Sequence, residues 1–364
     1  MKILLIGEYS NVHATLAEGL RAIGHEVTVV SDGDGWKNYP RNIDVSRKAG
    51  KLGGIALMAK IYTLLPKLKG YDVVQLINPM FFELKAERLF FFYNYLRKHN
   101  KKVFLGAYGM DYYWVHECVE RKPLRYSDFN FGPNLRTDEA ALIEQHDWIG
   151  TSKERLNKLI ADDSDGIITG LYEYDVCYRP HFPEKTTFIP YPIRDIQTAP
   201  LTDVHNPLRI FIGISKHRSA YKGTDIMLKA AEDIVKKYPT TACLQKAEGI
   251  PFDEYQTMMN NSDIILDQLY SYTPAMNALL AMSKGIVVVG GGEPENYEIL
   301  GEEELRPIVN VEPNYNSVYH ELEQLVLHPE RIPVMKQQSI AYIRKHHEYT
   351  KVAHQYGKLY IQSL

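Results

Sequence analysis

The chain is poor in cysteine, in long apolar runs and in net charge, and each shortage removes a class of protein. Its three cysteines, Cys118, Cys177 and Cys243, stand far apart without metal-ligand spacing. They exclude a disulfide scaffold and read as reduced thiols of a cytoplasmic protein. No run of about 18 apolar residues exists, so no membrane-spanning helix is expected, and charged residues interrupt the apolar N-terminal run, which argues against a secretory leader. A formal net charge of -3 gives no electrostatic basis for holding nucleic acid. Internal repeats and low-complexity tracts are missing. The first strand ends without a Gly-x-Gly-x-x-Gly fingerprint, so a dinucleotide and NAD-dependent redox chemistry are not expected. No Asp-x-Asp pair stands at a strand end, and neither a metal nor another cofactor is expected.

What is present is an alternation of short apolar strands and amphipathic helices. At 364 residues it suggests two α/β domains, because single cores seldom exceed about 250 to 300 residues. The opening MKILLIGEY reads as a buried strand with Gly7 at its end; a helix with Leu16, Leu20 and Ile23 on one face follows, and then a strand over Val27 to Val30. From 37 to 69 eight basic residues face a single acid, Asp44, and Ile55, Leu57, Met58, Ile61, Leu64 and Leu65 lie among them. This is either a core-packing helix with a solvated basic face or a helix that rests on an anionic membrane.

Asp72 to Ile77 is a further strand, Glu83 to Lys98 a helix, and Lys102 to Leu105 a strand that runs into GAYGMDYYW. A loop at a strand's carboxyl end is where open α/β sheets place ligands, which makes Asp111 and then His116 candidates for handling a proton. The rival role of Asp111 is a turn or helix cap. Residues 115 to 150 read as an irregular insertion whose Arg121, Lys122, Arg125 and Arg136 are phosphate contacts or plain surface charge. Domain boundaries are expected at 1–195, with a linker over 196–207, a second domain over 208–340 and a final helix over 341–364. In the second domain Arg209 to Gly213 is a strand. The loop after it brings Lys216, His217, Arg218 and Lys222 to the start of a helix at Thr224, a site suited to a diphosphate.

The most informative stretch is 262–298, SDIILDQLYSYTPAMNALLAMSKGIVVVGGGEPENYE. Ile264 to Leu266 is a strand that ends in Asp267 and Gln268. Ala275, Met276, Leu279, Leu280 and Met282 have helical spacing, with Gly285 as cap, and Val287 to Val289 is a buried strand running into Gly290, Gly291 and Gly292.

This run resembles the nucleotide-binding segment of the large retaining family of GT-B glycosyltransferases. In that pattern an Asp-Gln-Leu strand end leads to a Glu-Ala-Met-Ala helix, a Gly-Lys-Pro-Val-Val strand and a Gly-Gly-x-Pro-Glu turn. The matching residues are DQL at 267–269, LAMS at 280–283, GIVVV at 285–289 and Glu298 at the final Glu. Two glutamates of the family fall on Tyr272 and Leu280, so ribose recognition must differ or be lost.

The resemblance implies a GT-B fold, two Rossmann-like domains facing across a cleft, with the final helix crossing back to the first domain. It implies transfer of a sugar from a nucleoside diphosphate sugar to a saccharide or lipid-linked acceptor, in polysaccharide or glycoconjugate assembly and without a metal. Arg218 and Lys222 would neutralise the donor diphosphate and Glu248, Gly249 and Ile250 would meet the base. Gly7, Asn11 and His13 would face the cleft, with capping by Ser10 or Asn11 as the rival role. Gly291, Gly292 and Glu298 would hold the donor sugar near Tyr272, and Asn277 could replace part of the ribose contact. If the family's stereochemistry is kept, Asp111 positions the acceptor; in an inverting enzyme it would be the base. The alternatives are a catalytically degenerate binding or partner subunit and a nucleotide-sugar isomerase.

Overall fold

Short aliphatic runs such as KILLI and VVQL are buried on both faces only in parallel sheets covered by helices. The computed structural model, which describes residues 1–50, 52–198, 203–214 and 219–364, contains two such sheets. The chain divides into two units. The first holds Met1–Pro123, Ile143–Pro192 and Tyr349–Leu364, and the second holds Leu124–Leu142 and Ile193–Glu348.

In chain order the strands are β1 (Lys2–Ile6), β2 (Glu26–Ser31), β3 (Ile43–Asp44), β4 (Val73–Leu76), β5 (Lys102–Ala107), β6 (Asn130–Phe131), β7 (Asn134–Leu135), β8 (Gly166–Thr169) and β9 (Thr186–Phe188). They continue with β10 (Leu208–Ile214), β11 (Ala242–Glu248), β12 (Ile264–Leu266), β13 (Val287–Gly290) and β14 (Val309–Asn310). The first unit's sheet has the order β3-β2-β1-β4-β5-β8-β9, and every pairing in it is parallel. The second unit's sheet has the order β11-β10-β12-β13-β14, also parallel throughout, with Ile210 opposite Ile264 and Ile264 opposite Val287. Its core gathers Ile210, Ile212, Leu266 and Val289 from the strands and Met227, Ile234, Leu322 and Leu325 from the helices.

Two features depart from the sequence expectation. Residues 124–142, expected within the first domain, group with the second unit, where β6 and β7 form a small antiparallel ribbon. Their anchors are arginines and tyrosines, which leave no apolar period to read. The stretch from 115 to 150 is also less irregular than expected, since Tyr112–Glu120 and Glu139–Trp148 are helices.

The tail, where a final helix was expected over 341–364, forms two helices, Ile332–His346 and Tyr349–Ser363. The break lies where the His347 carbonyl accepts the Ile193 N–H at 2.6 Å and Glu348 bridges to Ile193. Helix Tyr349–Ser363 belongs to the first unit. It packs on helix Val12–Ala22, where a Cβ at Gly19 would lie 2.5 Å from the Tyr349 carbonyl oxygen. Its buried Tyr356 hydroxyl meets the Tyr108 hydroxyl at 2.5 Å, and the Tyr360 hydroxyl donates to Gln75. Among the described residues no helix is long and apolar enough to cross a membrane.

Candidate functional site

Parallel strands that stop together leave their carboxyl ends, and the loops that leave them, as the natural ligand-binding edge. In the second unit that edge is formed by the ends of β10, β12 and β13. The Lys222 carbonyl accepts the Leu269 N–H at 3.0 Å, and a Cβ at Gly223 would lie 2.6 Å from Leu269 Cβ, so the loops after β10 and β12 are packed together.

Above the ends of β10 and β12 a polar chain crosses the edge. Tyr255 on helix Phe252–Asn260 donates its hydroxyl to Asn277 Oδ1 at 3.1 Å, and Asn277 Nδ2 donates to Asp267 Oδ1 at 3.2 Å. Asp267 is half-buried. Burial pushes its carboxyl up, and the Lys222 charge and the Asn277 hydrogen bond work against that shift. The Tyr255 ring packs on Phe211 with centroids 5.1 Å apart, and Gly213 leaves room for it. Asn277 is thus held by two partners within the site. Arg218, the first choice for the diphosphate, lies outside the described residues, as do Lys216 and His217.

Glu248 closes β11 and pairs with Lys246 at 2.9 Å. Gly249 after it is exposed and Ile250 half-buried. The glycines after β13 serve the packing of the protein itself: a Cβ at Gly291 would lie 2.3 Å from the Ser271 carbonyl oxygen, and one at Gly292 2.8 Å from Ile308. The Gly292 N–H donates to Asn310 Oδ1 at 3.0 Å and the Glu293 N–H to the Tyr272 carbonyl at 3.1 Å. The Gly292 amide, one of those expected at the donor, is therefore bonded inside the unit, as is that of Glu293.

A second correction concerns the acids. Glu298 is exposed on helix Pro294–Leu300. Counted from Gly291, the Gly-Gly-x-Pro-Glu turn ends at Glu295. Glu295 and its neighbour Glu293 are both engaged by the segment 124–142. The Arg125 guanidinium donates to Glu295 Oε1 at 2.5 Å and Oε2 at 3.2 Å, and to Glu293 Oε2 at 2.8 Å. The Tyr126 hydroxyl donates to Glu293 Oε1 at 2.5 Å.

Tyr272, at the place of one family glutamate, is 1% exposed, and its hydroxyl accepts the Arg125 N–H at 2.7 Å beneath the Arg125 guanidinium. Nearby, Arg136 lies over Tyr270 at 4.4 Å and pairs with Asp138 at 2.9 Å, while Phe131 meets Tyr270 edge-on. The segment 124–142 is thus a strap fastened across the loops after β12 and β13. Its arginines were candidates for phosphate or plain surface charge, and Arg125 and Arg136 instead serve this attachment.

In the first unit Gly7 has φ +86, and a Cβ there would lie 2.2 Å from Ile77 Cγ2. Only glycine fits that turn. Behind it the buried Glu8 carboxylate accepts the His13 and Ala14 N–H groups at 3.2 and 2.8 Å. The helix start at which a dinucleotide fold would hold phosphate is therefore capped by the chain's own acid. Neither Ser10 nor Asn11 supplies a side-chain cap. Burial pushes Glu8 up to about 8 and pushes His13 down to about 3. His13 Nδ1 bonds the Gly7 carbonyl at 2.8 Å and Nε2 meets Gln75 at 3.1 Å.

Asp111 is 0% exposed. It caps helix Tyr112–Glu120, with Oδ1 accepting the Trp114 N–H at 2.9 Å and Oδ2 the Tyr178 hydroxyl at 2.7 Å. Burial pushes its carboxyl up to about 7. The capping role replaces the expected catalytic one, because both oxygens are committed and solvent does not reach them. His116 is half-buried and stacks on Tyr112 at 5.0 Å. Among the described residues no three His, Cys, Asp or Glu side chains converge as metal ligands.

No protein-family model matches the sequence. No curated protein sequence does either. Solved structures do match along the whole chain. The chain is similar to HepE of Anabaena, solved in complex with UDP and glucose, at 12% identity, with 100% of both chains covered and a TM-score of 0.63. It is also similar to sucrose-phosphate synthase of Thermosynechococcus elongatus at 15% identity, over 100% of this chain and 99% of that one, with a TM-score of 0.59. A UDP-GlcNAc 2-epimerase of Neisseria meningitidis, bound to UDP-GlcNAc, matches at 12% identity over 100% of both chains with a TM-score of 0.54. The architecture these comparisons define is the GT-B fold, with one Rossmann-like sheet in each unit.

Proposed function

We propose that the protein is a glycosyltransferase that moves a sugar from a nucleoside diphosphate sugar to a saccharide or lipid-linked acceptor. The observation that carries the reading is the polar chain Tyr255–Asn277–Asp267, with the Lys222 charge beside it, at the carboxyl ends of β10 and β12. A carboxylate held by an amide suits the vicinal hydroxyls of a ribose, and a neighbouring lysine suits a diphosphate. In this reading Asp267 and Asn277 take over the ribose contact that Leu280 cannot make. Lys222 and Arg218 offset the charge of the leaving diphosphate, the largest electrostatic demand of the reaction, and Glu248, Gly249 and Ile250 meet the base. With Asp111 consumed as a buried cap, the departing phosphate is the natural acceptor of the proton, which favours retention without a metal. Placement of the acceptor falls to His116 and its surroundings.

A specific observation favours a second reading. Tyr272, Glu293 and Glu295 are all engaged by the strap, which suits a degenerate donor site kept for binding. An isomerase is a third, prompted by the epimerase of the same fold. Thermal shift with UDP, GDP, CDP, dTDP and their sugars, alongside Asp267→Asn and Lys222→Ala, tests the donor site. Selective stabilisation that both variants lose is expected, since a ligand that binds only the native state raises its melting point. No shift with any nucleotide at millimolar concentration would remove the donor site, and with it the enzyme.

A further inference from the structure

The segment 37–69 has a use that the nucleotide-sugar reading does not absorb. Helix Gly53–Leu64 turns Gly53, Leu57 and Ile61 into the first unit. The opposite stripe is apolar as well: Leu52 just before the helix, then Ile55 and Tyr62, are 74%, 59% and 45% exposed, with the exposed Ala56 and Ala59 between them. Residues 52, 55, 59 and 62 share one side at helical spacing. Tyr62 extends the stripe to Phe91, 47% exposed, with ring centroids 5.2 Å apart. Of the apolar residues that the sequence sets among these cations, Leu57 and Ile61 are core and Ile55 faces outward.

Cations surround this stripe. Arg47 lies beside Gly54, and Lys48 meets Gly53 through its carbonyl. Lys60 is the one charged side chain on the helix, and exposed Lys67 and Lys69 follow it. Asp44 pairs with Arg41 at 2.7 Å and with Lys60 at 3.3 Å, and Glu83, with Asp32 near it, lies against Arg47.

We propose that this face docks the protein on an anionic membrane surface, lying in the headgroup layer. An apolar stripe rimmed by lysine and arginine is complementary to acyl chains below an anionic headgroup plane. A second copy of the chain would bring the same cations against these and fits less well. The proposal is independent of any nucleotide binding.

The test is co-sedimentation of the full chain with vesicles of phosphatidylcholine alone and with about 30% phosphatidylglycerol added, at low salt and at about 0.5 M salt. The variants are Leu52→Ser/Ile55→Ser/Tyr62→Ser and Lys48→Glu/Lys67→Glu. All five side chains are exposed, and circular dichroism checks that both variants fold. The wild type is expected to sediment with the anionic vesicles only, and each variant to lose at least about tenfold in partitioning. Failure of the wild type to bind anionic vesicles at low salt overturns the proposal. So does undiminished binding by the serine variant. Concentration-dependent dimerisation that the serine variant abolishes would give the face to a second copy and overturn it as well.

Discussion

Replacing Arg125 by alanine should release the strap from the loops after β12 and β13 without unfolding the second unit. The side chain makes three charge-assisted hydrogen bonds, a pair to Glu295 and one to Glu293. It is 56% exposed, so the Glu295 pair counts at the upper end of surface ion pairs, about 1 kcal/mol. Glu293 is 10% exposed at its side chain and keeps the Tyr126 hydroxyl, so losing Arg125 adds about 1 kcal/mol more. Together about 2 kcal/mol would be lost, roughly a thirtyfold rise in the opening equilibrium of the strap.

Hydrogen exchange reads this directly. The amide of residue 125 donates to the Tyr272 hydroxyl, and that of Glu293 to the Tyr272 carbonyl. Both should exchange about thirtyfold faster in the variant, while amides of β10 and β12 stay protected. Arg125 holds Glu295 below its ordinary carboxylate range against the effect of burial. A depressed pKa means that the fastening is complete above the unfolded value and is lost as pH falls through the folded one. The wild type should therefore approach the variant's exchange in acid. Exchange at residues 125 and 293 that rises less than about threefold would refute the strap as a fastened element.

Three further outcomes are expected. Lys336→Ala leaves Asp263, which is 0% exposed, without its 2.7 Å ammonium partner; with the Arg209 N–H and His205 still in place, the cost should be about 3 kcal/mol, read as a lower urea midpoint, and a loss under about 1 kcal/mol would contradict the burial. Glu8 is raised from 4.5 to about 8, so the folded state holds its proton more tightly. Relative to Glu8→Gln the wild type should lose stability as pH rises from about 4.5 to 8, by a few kcal/mol at most, and parallel pH profiles would refute this. Tyr178→Phe removes the donor to Asp111 Oδ2 and should cost about 1 to 3 kcal/mol of first-unit stability in urea unfolding; no change would mean the cap does not need it.

The sheet strands were legible because their signal is local. Ile3 to Ile6, Val287 to Val289 and Arg209 to Gly213 are aliphatic runs closed by glycine, and each forms a parallel strand. The site was legible only in part. Asp267 could be seen at the end of an apolar run, yet its tie to Asn277, ten residues on, needs the turn that brings a helix back over the strand. The strap carried no local signal at all, because Arg125 finds its acids 168 and 170 residues away. Asp111 invited a catalytic reading because a strand-end acid and a helix-capping acid look alike in sequence. What separates them is the burial that Tyr178, 67 residues away, helps to create.

The most direct measurement incubates the protein with the nucleoside diphosphate sugar that stabilises it, in heavy water, and follows nucleoside diphosphate release and deuterium in the recovered sugar by mass spectrometry. The account predicts release of the nucleoside diphosphate, loss of that release in Asp267→Asn, and no deuterium on sugar carbon. Deuterium in recovered nucleotide sugar would contradict it in favour of an isomerase, and binding without release, with or without added acceptor saccharides and lipid-linked sugars, would contradict it in favour of a binding subunit.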